Sequence, residues 1–484
     1  MLGELSPGDR PPEWRVHDRT HLEFAVDYPV ATNGKDDGYV WEACFFIPES
    51  LRINGATYPK GQIYQDLHSY VRFAVPGVPL ETLVQSVARL EKMLSTPKAT
   101  QELRIFASQV RTSISAARRH VRELIENESD DADEAAISLA NQSRALMERF
   151  RALRGGNEGS TTRIAYDYID EDLSVLVETT LASLSLELRE ADHAKTAAKV
   201  ASGAVAEAKY RASRDMDGVG HGDVDKRDVE HLEFRRHLLK RFSASSLNLN
   251  RQIDEAGKWT LQILYAVAAS IAMAFAIVLA FYHGATWQQM GDLWMWAAIV
   301  VLAYAGKDRI KATLQGVFSR WVSKKLPDRR WRLRDPESKK TVGLVTERSG
   351  FSAQHELPVG VMAVRNSTRS HPLERHARPE EVLWHQKTCT WDGKVVRECD
   401  PRFVAVTEVF RLDLRRWLAH TDDPKQRIVF ADPEDRHIYS ATAPRVYNIA
   451  VVYRLRKADD QDAAWRRVRV VVSRKGILRV ENVV

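Results

Sequence analysis

Cysteine is scarce in this chain of 484 residues: Cys44, Cys389 and Cys399 are far apart and odd in number. Such a set builds no disulfide framework and fits a reducing compartment. Catalytic signatures are missing too. There is no GxSxG elbow, no HExxH, no CxxC and no lysine-bearing phosphate loop. The opening MLGELSPGDRPPEWR has no basic stretch followed by an apolar core, so no cleaved signal peptide is expected. A mean hydropathy of −0.37 is too polar for a many-span transporter.

Charge is absent where it matters most. From Leu261 to Tyr282 the chain reads LQILYAVAASIAMAFAIVLAFY, with no ionisable acid or base apart from tyrosine. A helix needs about 20 apolar residues to cross the ~30 Å hydrocarbon layer. A second apolar run, LWMWAAIVVLAYAG from Leu293 to Gly306, follows closely, and the pair predicts a two-helix transmembrane hairpin over 261–306. The second run is short and needs the Thr286–Asp292 stretch to complete a span. The connecting HGATWQQMGD has no Lys or Arg, whereas Arg241, Arg251, Lys258, Lys307, Arg309 and Lys311 flank the runs. By the positive-inside rule this predicts a two-pass protein of the plasma membrane with both termini cytoplasmic. Within the first run Ala268, Ala272, Ala276 and Ala280 recur every four residues, a stripe that lets another helix approach closely. The partner is either the second run of the same chain or a second copy in a homo-oligomer.

What is present is organised in blocks. Residues 1–78 read as a small mixed or β region, with aromatic and β-branched runs such as YVWEACFFIPES. Residues 79–214 carry a helical period, for example Leu103, Phe106, Val110, Ile114, Ala117, Val121 and Leu124. Helices with one narrow apolar face bury it on each other, so a helical bundle or coiled coil is expected. An acidic linker and a juxtamembrane amphipathic helix occupy 215–260, and a basic juxtamembrane helix and linker occupy 307–340. Residues 341–484 hold short β-branched runs separated by turn formers. They predict an antiparallel β domain, a sandwich or barrel, with Arg474-Lys475-Gly476 as its last turn.

Residues 306–484 hold 37 Lys and Arg against 23 Asp and Glu, while residues 1–305 hold 34 against 42. The excess beside the apolar runs suits an anionic inner leaflet and makes a nucleic-acid partner the poorer explanation. GGNEGSTT from Gly155 lacks the lysine of a phosphate loop and reads as a helix connector. DMDGVGHGDVDKRD from Asp215 alternates carboxylates, but Val219 and Lys226 stand where a calcium loop needs oxygen ligands. His385, Cys389 and Cys399, with His371 and His376 nearby, lack the second close pair of a zinc site. No metal, cofactor or catalytic residue is therefore assigned. The sequence is best read as a membrane-anchored, non-enzymatic scaffold, sensor or assembly protein, and its Arg- and Ala-rich composition suggests a bacterial source. The alternatives are an oligomeric membrane effector or pore gated by its other domains, and an enzyme without a readable motif.

Overall fold

The computed structural model describes residues 13–30, 36–156, 160–214, 226–253, 256–284, 293–367, 379–431, 438–460 and 463–483. Its first strands are β1 (Glu13–Val16), β2 (His21–Pro29), β3 (Asp36–Pro48) and, after helix α1 (Lys60–Asp66), β4 (Leu67–Ala74). The late strands are β6 (Arg329–Arg334), β7 (Thr341–Ser352), β8 (Glu380–Asp392), β9 (Ala405–Asp413), β12 (Tyr447–Lys457), β13 (Arg466–Ser473) and β14 (Gly476–Asn482). Residues 1–78 and 341–484, which read as separate blocks in the sequence, share both main sheets. One sheet runs β1-β2-β9-β4, and the other runs β14-β13-β12-β3-β8-β7-β6 and ends on the short β5 (Asn250–Ile253). Strand β3 sits at the centre of the larger sheet, with Phe46 opposite Ala450 on one side and Ala43 opposite His385 on the other.

This position explains the almost continuous apolar run of β3. Trp41, Ala43, Phe45 and Ile47 point into the space between the sheets, among Trp14, Phe24, Phe410 and Tyr453. Cys44 and Phe46 point the other way, under helix α10 (Val359–Asn366), whose Val361 covers them. A strand buried on both faces has no polar phase to display. The sandwich is fastened at both edges. The Ile477 N–H donates to the Arg19 carbonyl at 2.7 Å. Gly476, at φ 131°, holds the β13–β14 turn there, where a Cβ would strike that same carbonyl. At the opposite edge Phe73 donates to the Leu247 carbonyl and Leu249 donates to that of Val71, before the chain joins the larger sheet as β5.

Between these strands lie α2 (Leu80–Met93), α3 (Ala99–Glu126), α4 (Ala132–Ala152), α5 (Ser160–Glu190), α6 (Ala194–Ser213) and α7 (Lys226–Ala244). Their stripes bury on one another in one core that includes Leu83, Phe106, Val110, Phe150, Tyr166, Leu173 and Val200. Helix α5 is central. Its consecutive Asp170, Glu171 and Asp172 are all buried, and each meets an arginine from a different neighbour: Arg151 of α4, Arg235 of α7 and Arg111 of α3. Arg402, from the loop before β9, reaches the bundle through both oxygens of Glu102 on α3.

The chain leaves the sheet edge at β5, forms α8 (Ala256–Gly284) and α9 (Leu293–Lys325), and returns as β6, which pairs with β5. The expected two-helix transmembrane hairpin is not supported. Among the described residues one helix, α8, is long and apolar enough to cross a membrane. In α9 the apolar part runs only from Leu293 to Gly306 before Lys307, Asp308, Arg309 and Lys311 follow in the same helix. At ~1.5 Å per residue that part covers roughly 20 Å, well short of ~30 Å. The Thr286–Asp292 stretch that would have lengthened it lies outside the described residues.

Candidate functional site

The most distinctive surface belongs to α8. Its window Gln262–Leu279 has a mean hydropathy of 2.2, yet only 11% of it is buried. Alanine and leucine favour the helix, and no glycine or proline interrupts it between Gly257 and Gly284. One narrow face packs on α9, where Phe275 of α8 lies 3.5 Å from the position a Cβ would take on Gly306. Of the alanine stripe, Ala268 and Ala272 are buried, Ala276 is half-buried, and the side chain of Ala280 is outside the described set. The remaining faces present Ile263, Val267, Ile271, Val278 and Phe281 to the surroundings. Large contiguous apolar surface of this kind marks an interaction site, since water solvates it poorly. No Asp, Glu, Lys or Arg lies between Leu261 and Tyr282.

A second feature lies inside the sandwich, around His385, which the sequence offers only as a metal ligand, and Lys387, which it does not single out. Strand β8 alternates inward Leu383, His385, Lys387, Cys389 and Trp391, so a histidine and a lysine occupy core phases. Lys387 is 2% exposed and donates to Glu347 of β7 at 2.8 Å, to Ser69 of β4 at 3.1 Å and to Glu408 of β9. Tyr28 of β2 donates to the other oxygen of Glu408 at 3.0 Å. One ammonium thus ties both sheets together across the core.

Burial disfavours the charge on Lys387, but the two carboxylates overcome it and raise the ammonium's pKa well above the ordinary value. Burial likewise acts to raise Glu347, and Lys387 outweighs it, leaving that carboxyl at about 2. His385 is pushed down to about 4 by burial, against the pull of the Glu347 carboxylate. Its Nδ1 lies 2.6 Å from the Ser349 hydroxyl, and its Nε2 has no hydrogen-bond partner among the described residues. The ring rests between Trp41 and Phe410, at 5.1 and 5.6 Å. General acid–base work requires contact with a substrate or water. These groups are enclosed and paired with one another, so the cluster is suited to fixing the sheets against each other. The signal was legible in principle, because a Lys at an inward phase of an alternating strand must find partners.

Among the described residues no group of three His, Cys, Asp or Glu could hold a metal. His385 and Cys389 share a buried strand face, but Cys399 ends α11 (Gly393–Cys399) with its Sγ 3.6 Å from Ser338. His371 and His376, and most of the segment after Asp215, lie outside the described residues. All three cysteines are free. Comparison with protein-family models, with curated proteins and with solved structures finds no match to this chain.

Proposed function

We propose that this chain is a non-enzymatic membrane-attached protein, held on a lipid bilayer by α8, whose helical bundle and β sandwich serve as scaffold or sensor modules outside the lipid. One observation carries the reading. A core helix of a soluble domain with this hydropathy would be mostly buried, whereas α8 has 11% of its apolar window covered. The helix stands in the middle of the chain, where a cleaved leader does not occur. Lys307, Arg309 and Lys311, just beyond the apolar part of α9, place a cationic zone next to this surface. Each such residue near an anionic leaflet contributes about 1 kcal/mol. Three free thiols and the cationic zone together favour the cytoplasmic face of the plasma membrane.

The test is fractionation of cells expressing the full chain, then alkaline extraction and flotation on vesicles with and without anionic lipid. The full chain should float, more strongly with anionic lipid. A variant lacking residues 262–279 should stay at the bottom of the gradient. A full chain that remains soluble and monodisperse without detergent, or a deletion variant that still floats, would overturn the proposal.

A further inference from the structure

Positive charge gathers where the helical bundle meets the outer face of the smaller sheet. Strand β4 is an edge of that sheet, since the two strands after β9, β10 (Lys425–Ala431) and β11 (Ile438–Pro444), pair with each other. Leu67, Ser69, Val71 and Phe73 take the inward phase of β4, so His68, Tyr70 and Arg72 point outward. Arg411 of β9 stands opposite His68, and Thr407 stands opposite Arg72. The segment after α7 closes this edge, with Asn248 bridging to Arg72 between the hydrogen bonds made by Leu247 and Leu249. The last turns of α7 are thereby brought beside Arg72. Lys240 of α7 comes close to Arg72 and Arg411 and, because α7 packs on α3, to Arg111 as well.

These cations outnumber the acids that answer them. Arg111 donates to both oxygens of Asp172, at 2.8 and 2.7 Å. Arg411 donates to Glu23 at 2.6 Å, but that carboxylate also accepts from Arg15. Lys240 and Arg72 are exposed, and among the described residues neither side chain has a hydrogen-bond or ion-pair partner. Burial lowers the pKa of Lys240, and the charges of Arg111, Arg72 and Arg411 lower it further, against the pull of Asp172. Hydroxyl donors stand idle here too. Ser243, one turn beyond Lys240 on the same side of α7, is 2% exposed, and Ser246 at the helix exit is 3% exposed. Neither Oγ has a hydrogen-bond partner among the described residues. Tyr70 is 41% exposed, with the Arg411 guanidinium 5.5 Å from the centre of its ring. Buried donors without partners and crowded like charges both cost stability, and one bound anion would relieve both.

We propose that this junction of α3, α7, β4 and β9 binds a phosphate group, free or carried on a lipid headgroup, through Lys240 and Arg72. Arg111 and Arg411 flank them and keep their own carboxylates. The unpaired charges set the ligand class. A carboxylate has one negative charge and would leave either Lys240 or Arg72 unanswered, whereas a phosphate dianion answers both. Its oxygens also accept from several directions, which suits donors delivered by different elements. The Arg fork and the Lys point charge are the two side chains best matched to phosphate. The site stands on the bundle and the sandwich, so it does not depend on membrane attachment through α8.

The test uses the full chain in mild detergent, titrated calorimetrically with inorganic pyrophosphate. Acetic anhydride labelling, read by mass spectrometry, then locates the site. Pyrophosphate should bind saturably and protect Lys240 from acetylation, while Lys199, exposed on α6, stays reactive. Lys240→Gln with Arg72→Gln should weaken binding about ten-fold or more, since both charge-assisted contacts are lost. The ligand-free melting curve should not fall, because neither side chain gives up a partner. Lys240→Arg should retain binding. A second arm offers vesicles of phosphatidylcholine with and without phosphatidic acid. Protection of Lys240 by the phosphatidic acid vesicles, with none by pyrophosphate, assigns the phosphate to a lipid headgroup and supports the site. Vesicle flotation without protection of Lys240 would leave α8 as the lipid contact, so failure here is distinct from failure of membrane attachment. The proposal is overturned if neither probe protects Lys240, or if the double variant binds as wild type does. It is also overturned if Lys195→Gln with Lys199→Gln, which removes the same charge from α6, weakens binding equally.

Discussion

Replacing Lys387 by Met removes the one cation among Glu347, Glu408 and Tyr28 while preserving most of its volume. Glu347 falls from an ordinary 4.5 to about 2 in the folded protein, with Lys387 as the principal stabilising charge. A shift of that size, at about 1.4 kcal/mol per unit, makes the ionised Glu347 worth about 3 kcal/mol at neutral pH. Breaking a buried ion pair by removing one partner costs about 3–5 kcal/mol, because the survivor stays buried and charged. Two carboxylates survive here, so Lys387→Met should cost at least about 3 kcal/mol at pH 7. The pH dependence follows from the sign of the shift. The folded carboxyl is the stronger acid, so its contribution is present above the unfolded value near 4.5 and is lost as pH falls toward 2. In the variant that contribution is gone, so the gap to wild type should narrow as the medium becomes acid. Chemical unfolding of the detergent-solubilised chain, followed by near-ultraviolet circular dichroism of the sandwich tryptophans, measures both quantities. Adding Glu347→Gln and Glu408→Gln to Lys387→Met should restore most of the loss, since a neutral core of similar volume tolerates the site. If Lys387→Met stays within about 1 kcal/mol of wild type at pH 7, or the triple variant is no better than the single, the reasoning about this cluster fails.

His385 is kept neutral by burial, so wild-type stability should decline as pH falls from the unfolded value of 6.5 toward about 4, and His385→Gln should flatten that decline in the same unfolding assay. Arg151→Ala leaves Asp170 and Glu207 buried without their shared cation, and should lower the bundle's unfolding free energy by about 3 kcal/mol in urea titrations. Because the bundle core draws its buried residues from Leu80 to Ala204, a fragment of residues 79–214 should be soluble and mostly helical by circular dichroism. A coil spectrum would mean that α7 or the sandwich is required. Ala268→Leu with Ala272→Leu overfills the face that α8 turns to α9. It should loosen that pair by about 1–3 kcal/mol, seen as faster proteolysis, while leaving vesicle flotation intact.

Much of the bundle could be read directly from the chain, because a helical stripe is a local pattern with a fixed period. Leu103, Phe106, Val110 and Ile114 fall on one face whatever the partner is. The charge-free run from Leu261 to Tyr282 was equally plain, since length and apolarity are properties of consecutive residues. The last β turn was visible for the same reason, its Gly476 meeting a local backbone demand.

What only the tertiary structure decided depends on contacts far apart in sequence. Nothing in YVWEACFFIPES announces that β3 is the middle strand of a sheet built from residues more than three hundred positions away. Strand pairing is chosen by the whole set of edges and faces, not by any one strand. The consecutive acids of α5, Asp170, Glu171 and Asp172, carry no local signal of burial, yet three helices each deliver an arginine to one of them. His385 reads in the sequence only as a metal ligand and Lys387 carries no signal of its own; both are core groups, because β9 and β2 bring Glu408 and Tyr28 over the Lys387 ammonium. The second apolar run looked like a partner span, but among the described residues its apolar part ends at Gly306, with Lys307, Asp308 and Arg309 following in the same helix. Sequence alone determined which segments are apolar and with what period. The fold decided which of those surfaces are covered, and among the described residues it leaves most of α8 exposed.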